Sequence, residues 1–164
     1  MASHLDTRTW LGQVPIQSVY TAGIGGQIFF RALKERGELV GTRCPTCHQV
    51  FVPARQFCER CFAELTEQLQ VGPEGTLRSF TFCYLDRDER PLLNPVALAL
   101  VQLDRATTFF LHKLLKVKTP SDVRFGSRVS VVVKPKAKRA GSILDIEGFR
   151  VLDPENNSPR RRGT

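Results

Sequence analysis

The chain contains no apolar run long enough to cross a bilayer. Its longest uninterrupted apolar stretch, Val96–Val101, falls far short of the roughly 20 residues that a spanning helix needs. It contains no nucleophile elbow, no Walker loop and no dinucleotide fingerprint, so no recognisable catalytic kit is present. The opening MASHLDTRTW has no apolar stretch of the signal-peptide kind, which leads us to expect a reducing, cytoplasmic setting. Acidic residues are in short supply: 16 Asp and Glu face 24 Lys and Arg, a net charge of +8. That excess predicts attraction to polyanions, among them nucleic acid, phospholipid and phosphate-bearing cofactors. Part of it lies in Arg160, Arg161 and Arg162 of NNSPRRRGT, whose composition is that of a solvated, disordered tail. With 41% hydrophobic and 24% charged residues in 164, the chain can bury one modest core plus a small appended module.

Against these absences stands one dense motif. Cys44 and Cys47, then Cys58 and Cys61, lie in the run CPTCHQVFVPARQFCERC. Two residues between the sulfurs of each pair let one tight turn aim both thiolates at a single ion, and two such turns make a tetrahedron. The short aromatic link with Phe51, Pro53 and Phe57 suits two strands of a zinc ribbon better than a finger with a recognition helix. Four thiolates close the coordination sphere, so the metal is structural and has no position for substrate or an activated water. Iron bound as in rubredoxin, or two disulfides, are the competing readings of the same spacing.

Elsewhere the patterning is coarser. Residues 1–20 hold Trp10, Val14, Pro15 and Ile16 without periodicity and read as an irregular arm that packs on a partner. QIFFRALKERG follows three glycines, with Ile28, Phe29, Ala32 and Leu33 at helical spacing and Gly37 as a stop. Gly23, Gly25 and Gly26 are a weak phosphate-loop signal, because neither a preceding strand nor a following Lys-Ser/Thr pair accompanies them. Past Gly72, Pro73 and Gly75 the pattern becomes β-rich. Five strands are expected, near Thr76–Leu85, Val96–Leu103, Thr107–Leu115, Ser127–Pro135 and Ile143–Val151, and five strands of this length suit a closed barrel of the OB type. The linkers DRDERPLLNP and KVKTPSDVRFG read as polar loops. The expected fold is therefore mainly β, divided as arm and amphipathic helix over 1–37, rubredoxin-like zinc ribbon over 38–71, OB-fold over 72–153 and basic tail over 154–164.

In this order, FFRALKERGELVGTRCPTCHQVFVPARQFCERC, GTLRSFTF, PVALALVQLD and GSILDIEGFRV resemble the zinc-ribbon and OB-fold proteins formerly called domain of unknown function 35. The resemblance covers roughly residues 27–152. It departs between the cysteine pairs, where Val52, Pro53 and Ala54 stand in place of the family's frequent Pro-Pro. It implies a non-catalytic accessory subunit of an acyl-CoA-processing complex, in a hetero-oligomer with a thiolase, hydroxymethylglutaryl-CoA synthase, MaoC-like hydratase or steroid side-chain aldolase. The extension RTWLGQVP resembles the subset paired with thiolase-like subunits such as benzoylsuccinyl-CoA thiolase. On that reading the ligands are structural zinc and a shared coenzyme A ester.

A CoA ester needs cations for its phosphates, and Arg can also stack on the base. Arg43, Arg55 and Arg60 flank the ribbon, and Lys113, Lys116 and Lys118 follow the third barrel strand. These six are the candidate CoA contacts; no catalytic residue is named. His48 beside a cysteine ligand, His112 and Cys83 read as structural. The rival from another class is a nucleic-acid binder, which requires stacking aromatics on the second and third barrel strands. VALALVQL has none, and Phe109 and Phe110 are adjacent rather than alternating.

Overall fold

The computed structural model describes residues 9–12 and 17–152. Val14, Pro15, Ile16 and the basic tail over 154–164 lie outside the described residues.

The first element is helix α1, Gly23–Glu35, which buries Gly25, Phe29, Ala32 and Leu33 along one stripe. It ends where the N–H of Gly37 (φ 75°) reaches back to the carbonyls of Ala32 and Leu33 at 3.1 and 3.0 Å. The helix starts earlier than the apolar pattern suggests and takes the glycines into its first turn, so they form no phosphate loop. Close approach is the reason. A Cβ on Gly25 would lie 2.5 Å from the Ala54 carbonyl oxygen, so only glycine lets α1 lie directly on the cysteine-bearing segment.

Strands β1 (Leu39–Arg43), β2 (Val50–Phe51) and β3 (Glu67–Val71) form an antiparallel sheet in the order β2-β1-β3. The cysteine pairs lie in the loops of this sheet. The third strand was not expected; it runs the whole length of β1, from Leu39 opposite Val71 to Arg43 opposite Glu67.

Strands β4 (Glu74–Leu85), β5 (Pro91–Leu103), β6 (Phe110–Leu115), β7 (Arg128–Val133) and β8 (Ile146–Val151) close a barrel in the order β4-β5-β6-β8-β7, with β6 and β8 parallel. This is the expected five-stranded OB architecture. β4 begins at Glu74 and β7 spans Arg128–Val133, one or two residues from expectation, while three strand starts move further, each for a local reason. β5 begins at Pro91 rather than Val96, since Pro is tolerated at a strand's start and on an edge. β6 begins at Phe110, because Thr107 and Thr108 turn their hydroxyls to the backbone of Val50 and Val52. Ile143–Asp145 is a 3₁₀ turn, because the buried Asp145 carboxylate gathers the N–H groups of Ala140, Gly141 and Ser142 at 2.9, 2.7 and 3.2 Å.

Helix, ribbon sheet and barrel share one apolar core. Phe29 and Leu33 from α1, Val50, Val52 and Val71 from the ribbon, and Leu77, Val101, Phe110 and Phe149 from the barrel pack in a single cluster. The ring of Phe29 meets Phe30 edge-on at 5.4 Å and Phe110 at 6.2 Å. A second small cluster surrounds the cysteines with Phe51 and Leu65.

Candidate metal centre and cationic surface

The two cysteine pairs are built alike. In each, the residue after the second cysteine takes the left-handed conformation, His48 at φ 59° and Phe62 at φ 60°. Its N–H bonds back to the carbonyl of the first cysteine, His48 to Cys44 at 3.0 Å and Phe62 to Cys58 at 2.9 Å. The N–H of each first cysteine then closes on the following residue, Cys44 on Gln49 at 2.8 Å and Cys58 on Ala63 at 2.9 Å. Backbone amides also point at sulfur: Cys47 N–H at Cys44 Sγ and Arg60 N–H at Cys58 Sγ, both at 3.4 Å. Such N–H···S bonds favour the thiolate, the form that binds metal.

All four sulfurs lie within 4.8 Å of one another, and Cys44 Sγ is 3.4 Å from Cys61 Sγ while Cys47 Sγ is 3.6 Å from Cys58 Sγ. A tetrahedron with metal–sulfur bonds of about 2.3 Å has edges of about 3.8 Å, so the cage matches one four-coordinate ion. A disulfide needs sulfurs about 2.05 Å apart, and all five cysteines are free thiols. Without the ion the thiols compete for protons. The N–H of Cys47 above all pulls Cys44 down to about 6. At Cys61 the N–H of Ala63 acts in the same sense, but the hydrogen bond to Cys44, burial and the other two sulfurs outweigh it and push that thiol up to about 12. His48 is the exposed turn residue of the first pair and lies outside the cage.

The six candidate CoA cations fall on two parts of the molecule. Arg43 pairs with Glu67 at 3.7 Å. Arg55 pairs with Glu59, its guanidinium stands 5.1 Å over the Phe51 ring, and its backbone is tied to the Thr42 hydroxyl at 2.9 and 3.0 Å. Both therefore hold the ribbon's shape, whereas Arg60 is exposed without a carboxylate partner among the described residues. Lys113 projects from β6 into an open groove of about 570 Å³ shared with Leu98, Leu111, Lys134, Leu144 and Glu147. Lys116 and Lys118 follow in the next loop, where the Lys118 N–H bonds Asp122 at 2.8 Å. Lys134 was not anticipated. It lines the same groove as Lys113 because β8 pairs with both β6 and β7, and the Lys134 N–H bonds the Asp145 carbonyl just before β8 at 2.8 Å.

His112 is half-buried on β6, where burial above all, with the neighbouring charge of Lys113, lowers its pKa against a hydrogen bond to the backbone of Ile143. Cys83 is a half-buried strand residue opposite Val96. The non-buried residues of β5 and β6 include Leu98, Leu100, Gln102, Leu111 and Lys113 and no Phe, Tyr or Trp, so the strands that would carry nucleobase-stacking rings carry aliphatic and polar side chains. The aromatics form a stripe on β4 instead: Phe80, Phe82 and Tyr84 follow one another at 6.2 and 6.5 Å, with Phe125 at 5.0 Å from Phe80.

A ribbon with a four-cysteine cage, fused through one core to an OB barrel, defines the class. Residues 31–67 match the family described as ChsH2, rubredoxin-like zinc ribbon domain, and residues 68–134 match ChsH2, C-terminal OB-fold domain. Together the matches span more than half of the chain, which belongs to this zinc-ribbon and OB-fold family. A DUF35 domain-containing scaffold protein of Methanocaldococcus jannaschii is 24% identical over 128 residues, 77% of this chain and 89% of the relative. A protein of the same description from Methanothermobacter thermautotrophicus is 24% identical over 122 residues, 74% of this chain and 90% of its own. Among solved structures, a protein of unknown function from the DUF35 family of Sulfolobus solfataricus superposes with a TM-score of 0.59 at 25% identity, covering 79% of this chain and 84% of that one. The Ltp2-ChsH2(DUF35) aldolase shares the fold with a TM-score of 0.54 at 21% identity, covering 76% of this chain and 91% of that chain. Zinc is thus the metal that the cage and the family both support, in a structural role.

Proposed function

We propose that this chain is a non-catalytic accessory subunit of an acyl-CoA-processing complex, with a thiolase-fold enzyme as its partner, and that it contributes to complex assembly and to holding the CoA part of the substrate. The observation that carries this reading is the closed four-sulfur cage in a chain with no other group of three or more metal-ligating side chains among the described residues. Such a metal supplies stability and shape rather than chemistry, so the reaction belongs to another subunit. Relatives described as scaffold proteins support the same reading. The net charge of +8 and the two lysines that line one groove, Lys113 and Lys134, support a role beside a phosphate-bearing ligand.

Co-purification from the native source tests the proposal. A stoichiometric acyl-CoA enzyme is expected, and its kind (thiolase, MaoC-like hydratase or aldolase) identifies the reaction. The chain by itself should turn over no acyl-CoA; turnover by the rigorously purified single chain overturns the reading. Binding compared at physiological salt should favour CoA esters over single-stranded oligonucleotides, since charge attraction alone fades with salt. Tight, salt-resistant oligonucleotide binding without a CoA effect would reverse that order.

A further inference from the structure

Residues 134–145, KPKAKRAGSILD, form a loop that closes on itself between β7 and β8. The Lys134 N–H bonds the Asp145 carbonyl at 2.8 Å, and the Asp145 carboxylate gathers the N–H groups of Ala140, Gly141 and Ser142 from within. The Lys138 N–H bonds the Pro135 carbonyl at 2.8 Å, and Arg139 Nε bonds the Lys134 carbonyl at 2.6 Å. The Arg139 guanidinium also lies over Gly37, where a Cβ would stand 2.6 Å from one of its nitrogens, so the loop is braced against the end of α1. Surface loops packed by their own groups in this way hold one shape and are often functional.

The loop's own charge is positive. It carries Lys134, Lys136, Lys138 and Arg139 against a single carboxylate, Asp145, which is buried. Lys134 lies near that carboxylate, and Arg139 is held by the backbone. Lys136 and Lys138 are exposed and make no ion pair among the described residues. Lys34 of α1, likewise exposed and unpaired, meets the loop at Gly141, its Cδ 3.4 Å from where a Cβ would stand. Of the neighbouring carboxylates, Glu35 faces Arg31 at 3.9 Å and Glu147 shares the groove of Lys113 and Lys134. Aliphatic side chains stand among these lysines. Ile143 is 38% and Leu144 70% exposed, and Leu144 borders Leu111, itself 62% exposed, in that groove.

This composition selects among anionic occupants. Protein interfaces are depleted in Lys and take most of their energy from Trp, Tyr and Arg, with Leu under-represented, whereas the loop has no aromatic residue. Single-stranded nucleic acid needs rings on which its bases stack. An anionic bilayer needs neither: it draws lysines to its headgroups and takes aliphatic side chains just beneath them. We propose that the 134–145 loop, together with Lys34, docks the chain on an anionic phospholipid surface. Lys34, Lys136 and Lys138 meet the headgroups, and Ile143 and Leu144 enter below them. This contact goes beyond the accessory-subunit reading and does not depend on it.

The test is sedimentation of the zinc-loaded full-length chain with vesicles of phosphatidylcholine alone and of equimolar phosphatidylcholine and phosphatidylglycerol. Wild type should bind the mixed vesicles and not the neutral ones. Lys136→Gln/Lys138→Gln should weaken that binding about 30-fold, since each lysine at an anionic surface counts for about 5-fold. Leu144→Ser should weaken it about 10-fold. All three side chains are exposed, so zinc content and thermal midpoint should stay at wild-type values. Arg160, Arg161 and Arg162 add attraction to any anionic surface, so the variants rather than wild-type binding alone assign the loop. Amide exchange over 134–145 in wild type should slow on the mixed vesicles, a readout that needs no variant. No binding of wild type to the mixed vesicles, equal binding by either variant, or unchanged exchange over 134–145 overturns the proposal. Capture of an acidic protein that the lysine variant abolishes, without vesicle binding, would overturn it in favour of a protein contact.

Discussion

The hydroxyl of Thr107 binds both backbone groups of Val50, accepting its N–H at 2.8 Å and donating to its carbonyl at 3.0 Å. One side chain thus acts as a strand neighbour and joins barrel to ribbon. Thr42 does the same for Arg55 within the ribbon, at 2.9 and 3.0 Å. Val50 opens β2 and Arg55 lies in the loop beyond it, and each threonine satisfies backbone groups there that would otherwise lack a partner at a cost.

Replacing Thr107 with Val keeps the shape and removes these bonds. The expected loss is about 1 kcal/mol, the net worth of an ordinary hydrogen bond, because Thr107 is exposed and its N–H still bonds the Val50 carbonyl at 3.0 Å. Denaturant unfolding measures it, and metal content should not change. Stability equal to wild type would show that water replaces the hydroxyl.

Metal analysis of the purified chain should return about one zinc per molecule, as a single tetrahedral site requires. Cys58→Ser should lose the ion and unfold the ribbon, and a chelator should do the same to wild type. Because α1 and the barrel share their core with the ribbon, that unfolding should lower the midpoint of the whole chain. Cys83→Ser, outside the cage, should keep full metal content. Stoichiometric iron, or four oxidised cysteines, would contradict the assignment.

Asp145 predicts an acid-side loss of stability. Burial by itself would raise its carboxyl pKa, but the N–H groups of Ala140, Gly141 and Ser142 outweigh burial and hold it below the ordinary carboxylate value. A depressed folded-state pKa contributes stability that is present above the unfolded value, about 3.9, and is lost as pH falls through the folded one. Asp145→Asn should therefore cost about 2 kcal/mol near neutral pH, in the range for hydrogen bonds to a charged group, and should flatten the decline below about pH 4. Urea midpoints across that interval measure both effects. An unchanged slope would show that other carboxylates govern acid unfolding.

On the accessory-subunit reading, the N-terminal arm should supply a further contact. Trp10 is 87% and Tyr20 88% exposed, and apolar surface displayed in this way marks an interface. Phe29, by contrast, is fully buried and takes no part in that surface. Deleting residues 1–20 should weaken association with the catalytic subunit and leave zinc content intact. Partner affinity equal to wild type would remove the arm from the interface.

What could be read from residues alone was what local spacing encodes. Cys-x-x-Cys needs only one tight turn to point two sulfurs together, so both halves of the cage were legible, and alternation through Phe80, Phe82 and Tyr84 marked β4 because side chains alternate along any strand. Tertiary structure decided where distant segments meet. It paired β3 with β1, placed Lys134 beside Lys113, buried Phe29 against Phe110 and drew Gly25 against Ala54. It also extended β5 through Pro91 and Pro95, residues that read as a loop until a strand is found alongside. These outcomes depend on burial and on hydrogen bonds between residues far apart in the chain, and no local pattern of residues carries that information.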